Sequence, residues 1–156
     1  MEDHLFWQYL ILINTLIFAV ILAIIDYKKQ LLPNKWILAL LISNLFLIFF
    51  SDNFTVIKLQ GAIFQSFLIF LFYLLIYFLS KRTFGLGDVK FSFALSLPAL
   101  YFYDFPQVFS LHLWAFIIGG VFSIYLMTFK SFKSNQAIAF GPFMTIAYFL
   151  FLTLNL

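Results

Sequence analysis

The chain has 156 residues, of which 65% are hydrophobic, 23% are aromatic and only 10% are charged. A soluble domain of this size cannot cover so much apolar surface with polar side chains, so we expect the chain to lie in a lipid bilayer. The same composition excludes a disordered protein. The chain has no cysteine, which excludes disulfides, thiol nucleophiles and cysteine-ligated metals. Its net charge of only +3 argues against a nucleic acid partner.

The chain divides into six apolar segments at its clusters of charged and turn-forming residues. A membrane-spanning helix needs about 20 apolar residues. This length predicts six helices, at residues 5–25, 34–50, 61–79, 88–103, 107–129 and 139–156. The first has an acidic side and no cleavage site of the secretory type, so we expect it to remain in the mature protein. The predicted fold class is an all-α membrane protein, a polytopic bundle of six transmembrane helices forming a single domain at 1–156.

Basic residues predict the orientation of this bundle, because cytoplasmic loops of membrane proteins are enriched in Lys and Arg. Eight of the nine basic residues lie in or beside the first, third and fifth loops: Lys28, Lys29, Lys35, Lys81, Arg82, Lys90, Lys130 and Lys133. The ninth, Lys58, is assigned to the second loop. We therefore expect the odd-numbered loops to face the cytoplasm and both termini to lie outside.

Two acidic residues stand apart from the other four. Asp26 closes the first predicted helix and Asp88 opens the fourth, and these are the only carboxylates on the predicted cytoplasmic side. Both are expected at the inner boundary of the membrane, where a bundle can bring them together. Taken alone, each also fits an ordinary interfacial carboxylate or, for Asp88, a helix cap.

Gly85 and Gly87 directly precede Asp88 in the third loop. Glycine permits a positive φ and also allows another part of the chain to approach the backbone closely. Irregular backbone at membrane depth must be covered by protein or water, so this turn predicts a cavity that can admit water. A glycine turn that simply starts a helix is the alternative.

Three motifs, in this order and spacing, resemble those of the type IV prepilin peptidases. They are Ile-Asp-x6-Pro-Asn at 25–34, Gly-Leu-Gly-Asp-Val-Lys at 85–90 and Phe-Gly-Pro-Phe at 140–143, each beside a predicted helix end. Those enzymes are membrane aspartic proteases of the GxGD class, and the resemblance covers nearly the whole chain. It implies removal of the short basic leader from prepilins or pseudopilins at the cytoplasmic face of the cell membrane, with Asp26 and Asp88 as the catalytic pair.

The resemblance also implies what surrounds that pair. Gly85, Gly87 and Lys90 would form the active-site loop, with Lys90 either tuning the charge of Asp88 or anchoring its helix at headgroup level. No cofactor or metal is expected, and the expected partners are the prepilin substrate and membrane lipid. Family members that also N-methylate their product carry an N-terminal cytoplasmic region with paired cysteines. Because this chain begins at its first predicted helix and has no cysteine, we expect peptidase activity without methylation.

The two histidines are far apart in the sequence and offer no pair of metal ligands at helical spacing. We expect His112, in the outer half of the fifth helix, to be a buried side chain held by hydrogen bonds. Two other classes of protein fit the composition. A small proton- or ion-coupled transporter would carry its acidic residues nearer the midplane and show internal repeats, which are not found here. A noncatalytic membrane scaffold is the second alternative.

Overall fold

The computed structural model describes residues 2–52, 54–81, 84–129 and 138–155. These residues form six α-helices and confirm the prediction of an all-α fold. The helices are α1 (Glu2–Lys29), α2 (Asn34–Phe50), α3 (Val56–Leu79), α4 (Leu86–Phe102), α5 (Phe105–Phe129) and α6 (Gly141–Asn155).

The outer surface of the bundle is apolar, as expected for a membrane protein. Three helices are long and apolar enough to cross a bilayer, namely α3, α5 and residues Leu5–Lys29 of α1, and α2 and α6 are shorter apolar helices. Large hydrophobic side chains such as Phe64 and Phe129 are exposed on this surface. Soluble proteins rarely expose contiguous apolar surface on this scale, so the outside of the bundle is suited to lipid.

Four helices extend beyond the predicted segments, α4 and α5 by two residues each and α1 and α3 by more, because a helix does not have to end where its apolar stretch ends. Helix α1 continues through Asp26 to Lys29, and Gln30 then ends it with a left-handed φ of 49°. Lys28 and Lys29 in its last turn interact favourably with the negative end of the helix dipole. Helix α3 begins at Val56, five residues before the predicted boundary at 61. Lys58 therefore lies in the first turn of α3, and its assignment to a loop is wrong.

Helix α4 occupies the centre of the bundle. Each of the other five helices packs against it, and 12 of its 17 residues are buried. Helices α2 and α3 both pack on α4 rather than on each other. The helix that carries Asp88 is thus the one most completely surrounded by protein.

The helices alternate in direction, so each end of the bundle collects a defined set of loops. At one end, the indole of Trp7 donates to Asp52 (3.0 Å), and Tyr103 accepts from Gln8 (3.0 Å) and donates to the carbonyl of Asn155 (3.3 Å). The other end holds both Asp26 and Asp88, and we call it the aspartate end. Of the basic residues used above to predict orientation, Arg82, Lys130 and Lys133 lie outside the described residues.

The interior of the bundle contains a buried polar group at His112. One ring nitrogen lies 3.0 Å from the hydroxyl of Tyr73 in α3, and the other lies 2.8 Å from the hydroxyl of Ser96 in α4. The side chain is fully buried. The prediction that His112 is a buried, hydrogen-bonded side chain is confirmed, and the contacts join three helices.

Candidate active site

Asp26 and Asp88, 62 positions apart in the sequence, line one cavity of about 350 Å³ at the aspartate end. Asp26 lies in the last turn of α1, and Asp88 lies in the first turn of α4. The side chains are 5% and 7% exposed, and each carboxyl group is within electrostatic range of the other. The fold therefore brings together the two acidic residues that the sequence placed at one membrane boundary.

The third motif contributes directly to the position of Asp26. The backbone N–H of Gly141, the first residue of α6, donates to Oδ2 of Asp26 at 2.9 Å. A Cβ at position 141 would lie only 2.9 Å from the same oxygen, so a glycine is needed for this approach. Sequence reasoning found the motif containing Gly141 but missed this role, which depends on contact between the first and last helices.

Asp88 has a different environment. The N-cap of α4 is Gly85, with no side-chain cap hydrogen bond, so Asp88 is not the cap residue. Its Oδ1 atom is buried and has no hydrogen-bond partner among the described residues. A buried acceptor without a partner is costly and uncommon, so the environment of Asp88 is less saturated with hydrogen bonds than that of Asp26.

The family comparison decides what kind of protein holds this pair. The family model described as the type IV leader peptidase family matches residues 13–124, which include both aspartates. The chain belongs to the type IV leader peptidase family. Membership indicates a peptidase and a membrane-bound protein. Comparisons with curated proteins and with solved structures found no match.

Gly85 and Gly87 of this leader peptidase serve close approach and not unusual backbone conformation. None of the six glycines in the sequence, all within the described ranges, has a positive φ. A Cβ at Gly85 would lie 2.6 Å from Oδ2 of Asp88, and one at Gly87 would lie 2.8 Å from Cβ of Leu32. The two glycines before Asp88 thus allow close approach of neighbouring atoms and do not adopt a positive φ. Leu32 had no signal in the sequence beyond its place in the first loop.

Lys90 of the peptidase lies at the edge of the cavity that holds the two aspartates, with its side chain exposed. Its ammonium group donates to Oδ1 of Asn34 at 3.0 Å. This contact joins the start of α2 to the start of α4, and hence the first motif to the second. The lysine thus has a specific partner in the protein, which neither of the two roles considered for it anticipated.

Aromatic packing holds the second and third motifs of the peptidase together. Phe84 and Phe140 stand directly before Gly85 and Gly141, and their ring centroids are 5.3 Å apart. The ring of Phe116 from α5 lies 4.9 Å from Phe140. Edge-to-face and tilted ring pairs of this kind add to the stability gained from burial. They fix the two loops whose glycines approach the two aspartates.

Proposed function

We propose that the chain is an aspartic endopeptidase that removes the basic leader from type IV prepilins or pseudopilins. The observation that carries the proposal is the meeting of Asp26 and Asp88, two buried carboxyl groups from separate motifs, in one cavity. Family membership supports a leader peptidase. A metal-free proteolytic reaction needs an acid and a base close together, and two carboxyl groups can supply both.

We place the cavity at the cytoplasmic face of the inner cell membrane, with six spans in one peptidase domain and both termini outside. Lys28, Lys29, Lys35, Lys81 and Lys90 are the described basic residues near the aspartate end. The acidic residues Asp52 and Asp104 lie at the opposite end. Positive charge marks the cytoplasmic side of membrane proteins, so this arrangement supports an active site facing the cytoplasm.

The reaction follows from two carboxyl groups that share one proton. Two neighbouring carboxylates in a poorly solvated cavity do not both ionise readily, so one is charged and the other is protonated. The charged member takes a proton from water as the water oxygen attacks the scissile carbonyl carbon. The protonated member donates to the carbonyl oxygen. When the C–N bond breaks, the leaving amine takes a proton from the carboxyl group that water protonated, and a hydroxyl of the tetrahedral intermediate returns its proton to the other carboxylate, so the pair regains its starting state.

We also propose that this chain does not methylate its product. The proposal is supported by the absence of cysteine from its 156 residues. Incubation with a prepilin and labelled S-adenosylmethionine tests this directly. Cleaved product without label is expected, and labelled product would contradict the proposal.

The central experiment is co-expression with a prepilin, read by the change in mobility that accompanies loss of the leader. Asp26→Asn and Asp88→Asn should each reduce the rate of cleavage by about 10²–10⁴-fold or more. This range is the usual contribution of a general acid or base. Asp104→Asn is the matched control, because Asp104 is exposed at the opposite end of the bundle. Cleavage retained by either active-site variant would refute the pair, whereas a transporter or scaffold would give no cleavage at all.

A further inference from the structure

A second depression of about 510 Å³ opens on the side of the bundle between α2 and α3. We call it the α2–α3 groove. Leu38 and Leu41 of α2 form one wall, Phe67 and Phe70 of α3 form the other, and Phe93 of α4 contributes to the floor. The groove exists because α2 and α3 both pack on α4 rather than on each other. Its lining is almost entirely apolar.

The α2–α3 groove leads to the catalytic cavity. Asn34 and Lys90 line both spaces, and the hydrogen bond between them stands at the junction. A molecule lying in the groove therefore has one end next to the cavity that holds the two aspartates.

The charge and length of the groove indicate what it holds. Its basic side chains, Lys35 and Lys90, come from the first turn of α2 and the second turn of α4, at the aspartate end. From Asn34 to Leu41 the groove follows about 10 Å of α2, which corresponds to two helical turns. A helix lying there would fill it with apolar side chains at positions i, i+3 or i+4, and i+7. The two lysines would repel a basic segment and keep it out of the groove.

We propose that the α2–α3 groove receives the apolar helix of the substrate, in the stretch that follows the cleavage point. This inference rests on the proposed function and adds the route by which the substrate reaches the two aspartates. The apolar helix lies between α2 and α3, the scissile bond reaches the cavity past Asn34 and Lys90, and the basic leader extends beyond the lysines. Substrate thus enters sideways from the lipid.

Cross-linking tests the location, and the absence of cysteine from the chain makes every introduced thiol unique. Leu38→Cys places a thiol on the groove wall. Ile124→Cys on α5 is the matched control. Ile124 lies about as far from the end of its helix as Leu38 does, and its side chain is 66% exposed, compared with 56% for Leu38. Both are combined with Asp88→Asn, so that bound prepilin is not cleaved. The prepilin carries one cysteine in its apolar helix, one or two turns after the cleavage point.

Oxidation should cross-link the prepilin to the Leu38→Cys protein at least tenfold more than to the Ile124→Cys protein. An excess of cysteine-free prepilin should compete with this reaction. Equal cross-linking at the two positions, or cross-linking that the competitor does not reduce, would show that the groove is ordinary lipid-facing surface and would overturn the inference. Wild-type protein provides the separate check: if it does not cleave the prepilin, both this inference and the proposed function are wrong.

A kinetic comparison provides a second test. Leu38→Trp adds bulk to the wall of the groove and should raise KM for prepilin about tenfold with little change in kcat, because the aspartates are not touched. Ile124→Trp should leave both constants unchanged. An unchanged KM for Leu38→Trp, in membranes with normal amounts of protein, would contradict the proposed route.

Discussion

Gly85→Ala is expected to separate activity from stability. A Cβ at this position would lie 2.6 Å from Oδ2 of Asp88, and ordinary contact begins at 3.4 Å, so the carboxylate must retreat by about 0.8 Å. The obstacle is the far end of a side chain, which can rotate away without moving the backbone. Gly85 has a φ of −71°, which alanine also adopts, and the change at this N-cap costs under about 1 kcal/mol. The variant should fold normally with the carboxyl group of Asp88 displaced.

The expected loss of activity follows from the displacement. A shift of about 1 Å in a reacting group can lower a rate by about 10²-fold, which corresponds to about 2.7 kcal/mol of transition-state stabilisation. We therefore expect kcat for prepilin cleavage to fall by roughly 10²-fold while KM changes little. The assay is the initial rate of leader removal by purified protein in detergent or liposomes, with a thermal melt on the same sample.

Gly61→Ala is the matched control, because a Cβ there would meet nothing within 4 Å and the residue lies in α3 near the opposite end. Its rate should equal that of the wild type. If Gly85→Ala keeps its rate within about threefold of the wild type, the close contact with Asp88 does not constrain catalysis. If instead the variant loses activity together with its melting transition, the expected separation of activity from stability is refuted.

Three further substitutions probe neighbouring contacts. Gly141→Ala puts a Cβ 2.9 Å from Oδ2 of Asp26, the oxygen that accepts from the N–H of residue 141. This clash is smaller than the one at Gly85, so the cleavage rate should fall about tenfold with little effect on stability. Gly87→Ala presses on Cβ and nearby backbone of Leu32, which cannot rotate away, and should cost about 1–3 kcal/mol in a denaturation experiment. Tyr73→Phe removes one of the two hydrogen-bond partners of His112 and should cost about 1–2 kcal/mol in the same measurement, with cleavage retained at low temperature. A stability equal to wild type in either denaturation experiment, or an unchanged rate for Gly141→Ala, would contradict the corresponding contact.

The sequence predicted the helices and the pairing of the aspartates because both depend on strong local signals. Long apolar segments, separated by charged and turn-forming residues, mark helices whatever their neighbours are. Asp26 and Asp88 were found because so few charges are present that two carboxylates beside basic loops stand out. The helix ends were less accurate, as at Val56, because polar residues such as Lys58 can join the first turn of a helix.

The contacts around the pair could not be predicted in the same way. The bond from Gly141 to Asp26 joins residues 115 positions apart, and the contact of Gly87 with Leu32 joins two loops. Helices that are apolar on all sides give no periodic signal to show which faces meet. The packing order of the six helices, with α4 at the centre, therefore had to come from the structure. The junction of the α2–α3 groove with the cavity that holds the two aspartates depends on that order.

The lengths of the helices explain why the two carboxyl groups are buried although they lie close to one end of the bundle. The helices that begin there, α2, α4 and α6, have 17, 17 and 15 residues, whereas those that run toward it have 24 to 28. Seventeen residues span about 26 Å, less than the hydrocarbon thickness of about 30 Å. The short and the long helices are joined by hydrogen bonds at the end away from the aspartates, such as that between Gln8 and Tyr103. The short helices therefore do not reach as far as the long ones at the aspartate end, and this difference leaves a recess. Each motif includes the beginning of one short helix. The positive ends of these three helix dipoles favour negative charge there. The fold thereby holds both carboxyl groups close to this end of the bundle, in one cavity.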